Sequence, residues 1–127
     1  MSSQKYLNEI HKENQDWIKS LGFSEDELKS FENRLSEVVS KNTKSEVLAR
    51  AEHFQNQFIR HHEVIDILKH DINAFEQTIV ENAKQNNVAT DHRKTDVNED
   101  LTQRMSAFTK IWEELKDDYK KYLAEVL

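Results

Sequence analysis

The sequence predicts an all-α fold: three long helices packed as an antiparallel up-down-up bundle with coiled-coil-like heptad packing. Two facts of composition and one pattern carry this. The 127 residues include no proline and a single glycine, which leaves little to build tight turns from. Leu, Ile, Val and Phe make up about a quarter of the chain, above the roughly one-fifth below which a chain stays disordered. Apolar residues then recur at alternating steps of three and four, and no segment shows the period of two that a strand requires.

The first ladder runs Leu7, Ile10, Asn14, Trp17, Leu21, Ser24, Leu28, Phe31, Leu35, Val38. It predicts a helix over about residues 3–41. Within it, Gly22, the Ser24/Glu27 pair and the Phe23/Leu28 pair together spell a helix stop followed by a capping box and hydrophobic staple. An inserted loop would shift the phase of the ladder, and the phase is kept. A continuous first helix is therefore favoured; four helices are the alternative if it breaks at Gly22.

The second ladder runs Val47, Ala51, Phe54, Phe58, His61, Ile65, Leu68, Ile72, Phe75, Ile79 and predicts a helix over about 45–85. Thr43 or Ser45 is the expected cap, with Glu46 placing negative charge in the first turn. The polar, aperiodic stretch Asn86–Asp91 reads as the second connection, with Thr90 or Asp91 capping the third helix. The third ladder, Leu101, Met105, Phe108, Trp112, Leu115, Tyr119, Tyr122, Val126, predicts a helix over about 91–126. The whole chain, 1–127, is one domain.

Short connections make successive helices antiparallel. The implied layers are Trp17/Leu68/Phe108, Leu21/Ile65/Trp112 and Phe31/Phe54/Tyr122. All aromatics except Tyr6 and Phe23 fall on the ladders. A slim two-stranded coil prefers Leu, Ile and Val at such positions, so the rings call for a thicker bundle. The polar rungs Asn14, Ser24 and His61 are expected in the core. His61 should lie near Ser24 and Leu115 with a ring nitrogen bonding Ser24 or water, and Asn14 near Ile72 and Met105.

Net charge is −6, and each third of the chain carries −2. No basic block exists to displace counterions from a nucleic acid or to hold an anionic membrane surface. The first residues show no apolar leader core and no apolar run approaches a membrane span, so a cytoplasmic location is expected. With no cysteine, disulfides, thiolate metal sites and a cysteine nucleophile are excluded.

The histidines are His11, His53, His61, His62, His70 and His92. The candidate metal set is His62, Asp66 and His70, spaced four apart along one helix face. Their outward heptad positions weigh against it, because a working site needs supporting groups and restricted solvent. No Glu-x-x-His pair of the di-iron bundles occurs. Arg60-His61-His62-Glu63 shares letters with haemerythrin-like domains but lacks their His-x-x-x-Glu. Acidic residues pair with bases four residues on: Glu25–Lys29, Glu37–Lys41, Glu46–Arg50 and Asp100–Arg104, the pattern of a solvated helix face. No catalytic residue and no cofactor is predicted. Ile59 and Ile67 lie off the ladder on the outer face of the second helix and are the candidate interface residues.

The strings Val38–Thr43, Glu52–Ile59 and Ile65–Ile72 resemble a small family of uncharacterised bacterial all-helical proteins, over roughly residues 30–75. The resemblance implies a bacterial source and a helical fold and supplies no activity. The functional expectation is a non-enzymatic scaffold or protein-interaction module whose partner is a second copy (a homodimer) or another protein. The alternative is a metal- or small-ligand-binding bundle using histidines of the second helix.

Overall fold

A computed structural model describes residues 3–85 and 93–127. Three helices dominate it: α1 over Leu7–Lys41, α2 over Ser45–Gln85 and α3 over Glu99–Val126. The fold is all-α, and the buried residues follow the three ladders. On α2 they are Ala51, Phe54, Phe58, His61, Ile65, Leu68, Ile72 and Ile79. Burying one such stripe per helix is the term that holds long amphipathic rods together, since helix propensity alone does not.

α1 runs unbroken through Gly22. A methyl group added there would meet nothing within 4 Å, and no described residue has a positive φ. The local stop signal yields because burying Leu21, Ser24 and Leu28 in phase outweighs one glycine's propensity cost of about 1 kcal/mol.

Cross-helix contacts fix the directions. Glu25 meets Lys69, Glu32 meets His62 and His11 meets Glu76, so α2 descends as α1 climbs. Arg50 meets Glu125 and Asp71 meets Arg104, so α3 runs antiparallel to α2. Cross-helix partners displace two expected pairs within a helix, Glu25 going to Lys69 and Arg50 to Glu125. Glu37 pairs with Arg34 within α1, and Asp100–Arg104 forms as expected, at 3.2 Å.

Two elements have no counterpart in the sequence pattern. β1 (Gln4–Tyr6) and β2 (Lys94–Asp96) pair antiparallel, with Lys5 opposite Thr95. Three residues are too short to display a period of two. Leu7 N–H bonds Arg93 O and Val97 N–H bonds Ser3 O, both at 2.9 Å, extending this ribbon at both ends. The first helix therefore starts at Leu7 rather than about residue 3. The third starts at Glu99 rather than about residue 91, because its cap is Asn98, whose Oδ1 accepts from Leu101 N–H at 3.0 Å. Thr90 and Asp91, the expected caps, lie outside the described residues, as does His92. At α2, neither the Thr43 nor the Ser45 hydroxyl bonds a first-turn amide among the described residues; Lys44 O accepts from Leu48 N–H.

The layers shift by about one rung between α1 and α3. Phe31 packs at a tilt against Tyr119 (ring centroids 5.1 Å), Trp112 (5.8 Å) and Phe58 (6.0 Å), while Phe54 takes Tyr122 at 5.1 Å. The Tyr119 hydroxyl donates to Phe31 O at 2.7 Å. A buried phenol must find an acceptor, and that bond sets the height of α3 against α1.

Candidate functional site

The seam between α2 and α3 carries a concave apolar surface with exposed rims. On α2 the residues Gln57, His61, Val64 and Leu68 line it; on α3 Arg104, Ala107, Phe108 and Ile111 do. Ala107 is too small and Val64 too short to close the space between the helices. A groove of about 330 Å³ remains, within the roughly 300–1,000 Å³ range of binding clefts. Leu68 and Phe108 are buried beneath it, while Ile67 and Ile111 stand at its edges 56% and 54% exposed.

The two ends of this groove differ in charge. At one end Arg104 donates to Asp71 at 2.8 Å and to Asp100 at 3.2 Å. The guanidinium, with a further bond from His70, holds the Asp71 carboxyl below the usual carboxylate range, and the carboxylates raise Arg104 in return. At the other end stands Arg60, exposed and without an ion-pair partner among the described residues.

His61 sits in the groove wall, 5% exposed. Its Nδ1–H donates to Gln57 O one turn back, at 2.9 Å, which leaves Nε2 as the acceptor of the neutral ring. The ring packs against Trp112 and Phe108, at 5.6 and 5.9 Å. Burial pushes the imidazole below its ordinary value; the Gln57 bond opposes this, and the nearby Arg60 and His62 add to it. The expected bond to Ser24 is absent: Ser24 Oγ donates back to Ser20 O at 3.2 Å, a partner within its own helix that needs no help from α2.

Asn14 is buried, and its Nδ2 donates to Glu76 Oε2 at 3.1 Å, while His11 meets the other Glu76 oxygen at 2.5 Å. It shares a cleft with Ile72 as expected, but its polar partner is a carboxylate outside the ladder. Its Oδ1 is buried without a hydrogen-bond partner.

The candidate metal residues do not converge. His62 Nε2 meets Glu32 of α1 at 2.5 Å. Asp66 is exposed. His70 is 83% exposed in its side chain and bonds its neighbour Asp71. Among the described residues no three His, Asp or Glu side chains are grouped to hold a metal ion. No described helix is long and apolar enough to cross a membrane. Ile59 is 48% exposed but does not line the groove, whereas Ile67 does.

Arg60 and Asp71 are invisible as site residues in the sequence because each reads as ordinary surface charge. The signal that could have found them is a second run at steps of four, three and four, Arg60–Val64–Ile67–Asp71, beside the core ladder. Comparison with protein-family models, curated proteins and solved structures finds no match to this chain, and so bears neither way on the resemblance carried by residues 30–75.

Proposed function

We propose that this chain is a non-enzymatic, cytoplasmic helical-bundle interaction module whose working surface is the groove between α2 and α3. The observation that carries the reading is the pairing of Ile67 and Ile111, each more than half exposed, across an apolar trough. Covering two branched aliphatic side chains and the rings beneath them returns about 25 cal/mol per Å² of apolar surface removed from water. Helix-in-groove recognition uses this kind of surface. Among the described residues the imidazole of His61 has no aligned nucleophile or second base, and its Nδ1 is committed to a backbone carbonyl, so it supports packing rather than proton transfer.

The test is capture from a native lysate by the intact chain, compared with Ile67→Asp and Ile111→Asp. A protein retained by the wild type and lost by both variants is the expected result. Metal analysis of the purified protein is the counter-test. A stoichiometric metal that disappears in His62→Ala and His70→Ala overturns the reading in favour of a metal-binding bundle.

A further inference from the structure

The α2 face that borders the groove is complementary to itself. Arg60, Val64, Ile67 and Asp71 form one stripe, next to the buried stripe of His61, Ile65, Leu68 and Ile72. A cation stands at one end, an acid at the other, and branched aliphatics between them. Arg60 and Asp71 share a midpoint with Val64 and Ile67, between Ile65 and Asp66. Turning a second α2 end over end about that point therefore sets Arg60 against Asp71 and Val64 against Ile67, and each contact occurs twice. That reciprocity is what a two-fold interface requires.

We infer that the occupant of the groove is a second copy of this chain, with the two α2 helices packed antiparallel about a two-fold axis near Ile65–Asp66. This rests on the reading of the groove as an interaction surface and names its partner. The charges fit. At the Asp71 end one guanidinium, Arg104, faces two carboxylates, Asp71 and Asp100, so one negative charge is left over. At the far end Arg60 carries a positive charge with no ion-pair partner among the described residues. The two-fold axis brings Arg60 of each copy to the acidic end of the other, about 16 Å along the helix from its own. It also puts Ile67 and Ile111 of both copies, together with Val64, into one apolar layer. Ile59 stays outside, because it lies off the stripe and off the groove. Opposite charges at the rim then select the antiparallel alignment, since parallel packing would set Arg60 against Arg60.

The experiment is sedimentation equilibrium over a dilution series of the intact chain, with circular dichroism confirming that each variant is folded. The wild type is expected to dissociate reversibly from dimer to monomer. Ile67→Asp raises the dissociation constant by about a hundredfold or more, since symmetry repeats a central substitution. Ile59→Asp leaves the constant unchanged. Arg60→Asp and Asp71→Arg each weaken the dimer by about tenfold, and an equimolar mixture of the two recovers it as a heterodimer in which both charge pairs are again opposite. Should Asp71→Arg unfold against Arg104, the contrast between Ile67→Asp and Ile59→Asp decides alone. A wild type that stays monomeric, a dimer indifferent to Ile67→Asp, or one broken by Ile59→Asp overturns the inference. A monomer that still captures a different protein through Ile67 overturns the inference while the interaction reading stands; a monomer that captures nothing removes both.

Discussion

The two ends of the bundle solve the same packing problem with different chemistry. Where the C-terminal part of α1, the N-terminal part of α2 and the C-terminal part of α3 meet, six rings interlock: Phe31, Phe54, Phe58, Trp112, Tyr119 and Tyr122. Both tyrosines are fully buried, and both hydroxyls donate to helix carbonyls, Tyr119 to Phe31 O and Tyr122 to Val47 O. The opposite end has a small separate core of Leu7, Ile10 and Ile79, joined by Phe75, Ala83 and Val97. There α3 has not yet begun, and the β1–β2 ribbon stands in for its missing turns. Near that end Asn14 keeps a buried oxygen without a partner. The lesson is that the fully buried rings gather where three helices converge. Where two remain, the buried residues are aliphatics with only the partly buried Phe75 beside them, and backbone hydrogen bonds of the ribbon close the end.

The contrast can be broken most sharply in the ring cluster. Phe58→Ala is expected to cost about 3–5 kcal/mol, because its neighbours are rigid rings that cannot collapse into the space. Ile79→Ala in the small core, with solvent nearby to relax into, is expected at the low end of its class, about 2 kcal/mol. Urea denaturation of both variants measures the difference, and equal losses would mean that the two ends are packed alike.

Buried polar groups sharpen the same comparison at about 1 kcal/mol. Tyr119→Phe removes a satisfied hydrogen bond and is expected to destabilise by about that amount. Asn14→Leu removes an orphaned oxygen from the core, and is expected to leave stability unchanged or raise it by up to about 1 kcal/mol. A clear loss of stability in Asn14→Leu would show that the Asn14–Glu76 bond outweighs the orphaned oxygen.

Gly22 lies between the two ends on α1. Gly22→Ala is expected to stabilise by about 0.5–1 kcal/mol, since the helix is continuous and the added methyl meets nothing. Hydrogen exchange then shows whether both ends gain together, as one cooperative unit would.

The smallest effect belongs to His61 and is read through pH. Burial lowers its pKa in the folded chain below the ordinary 6.5. The unfolded chain therefore binds the proton more readily. Stability from the neutral ring is fully present above 6.5, drains away as pH falls below it, and levels off beneath the lower folded value. The wild type is expected to lose melting temperature on acidification to about pH 5, and His61→Leu to lose less. Equal losses in both would place the pH dependence elsewhere than His61.

Most of the helical architecture is legible in the ladders, because a stripe that must be buried fixes the helical phase residue by residue over long spans. Gly22 illustrates the rule: a local stop signal loses to a periodicity that runs through it. The candidate groove is half legible. Ile67 stands out as an apolar residue off the ladder, but Arg60 and Asp71 do not, since a charge gains meaning only from what lies opposite it. Glu25 and Arg50 make the same point: spacing pairs each along its own helix, and each finds its partner on another.

The identity and inward face of each rod are properties of the sequence by itself, because periodic burial is a matter of local order along the chain, whereas the starts of the first and third rods are set by the β1–β2 ribbon and the Asn98 cap. Only the tertiary structure decided the height of α3 against α1, the partner of Asn14, the bond that holds His61, and the ribbon that joins residues 4–6 to 94–96. Most of these depend on contacts between residues far apart in the chain, whose distances no local pattern encodes and which a single hydrogen bond such as Tyr119 to Phe31 can settle.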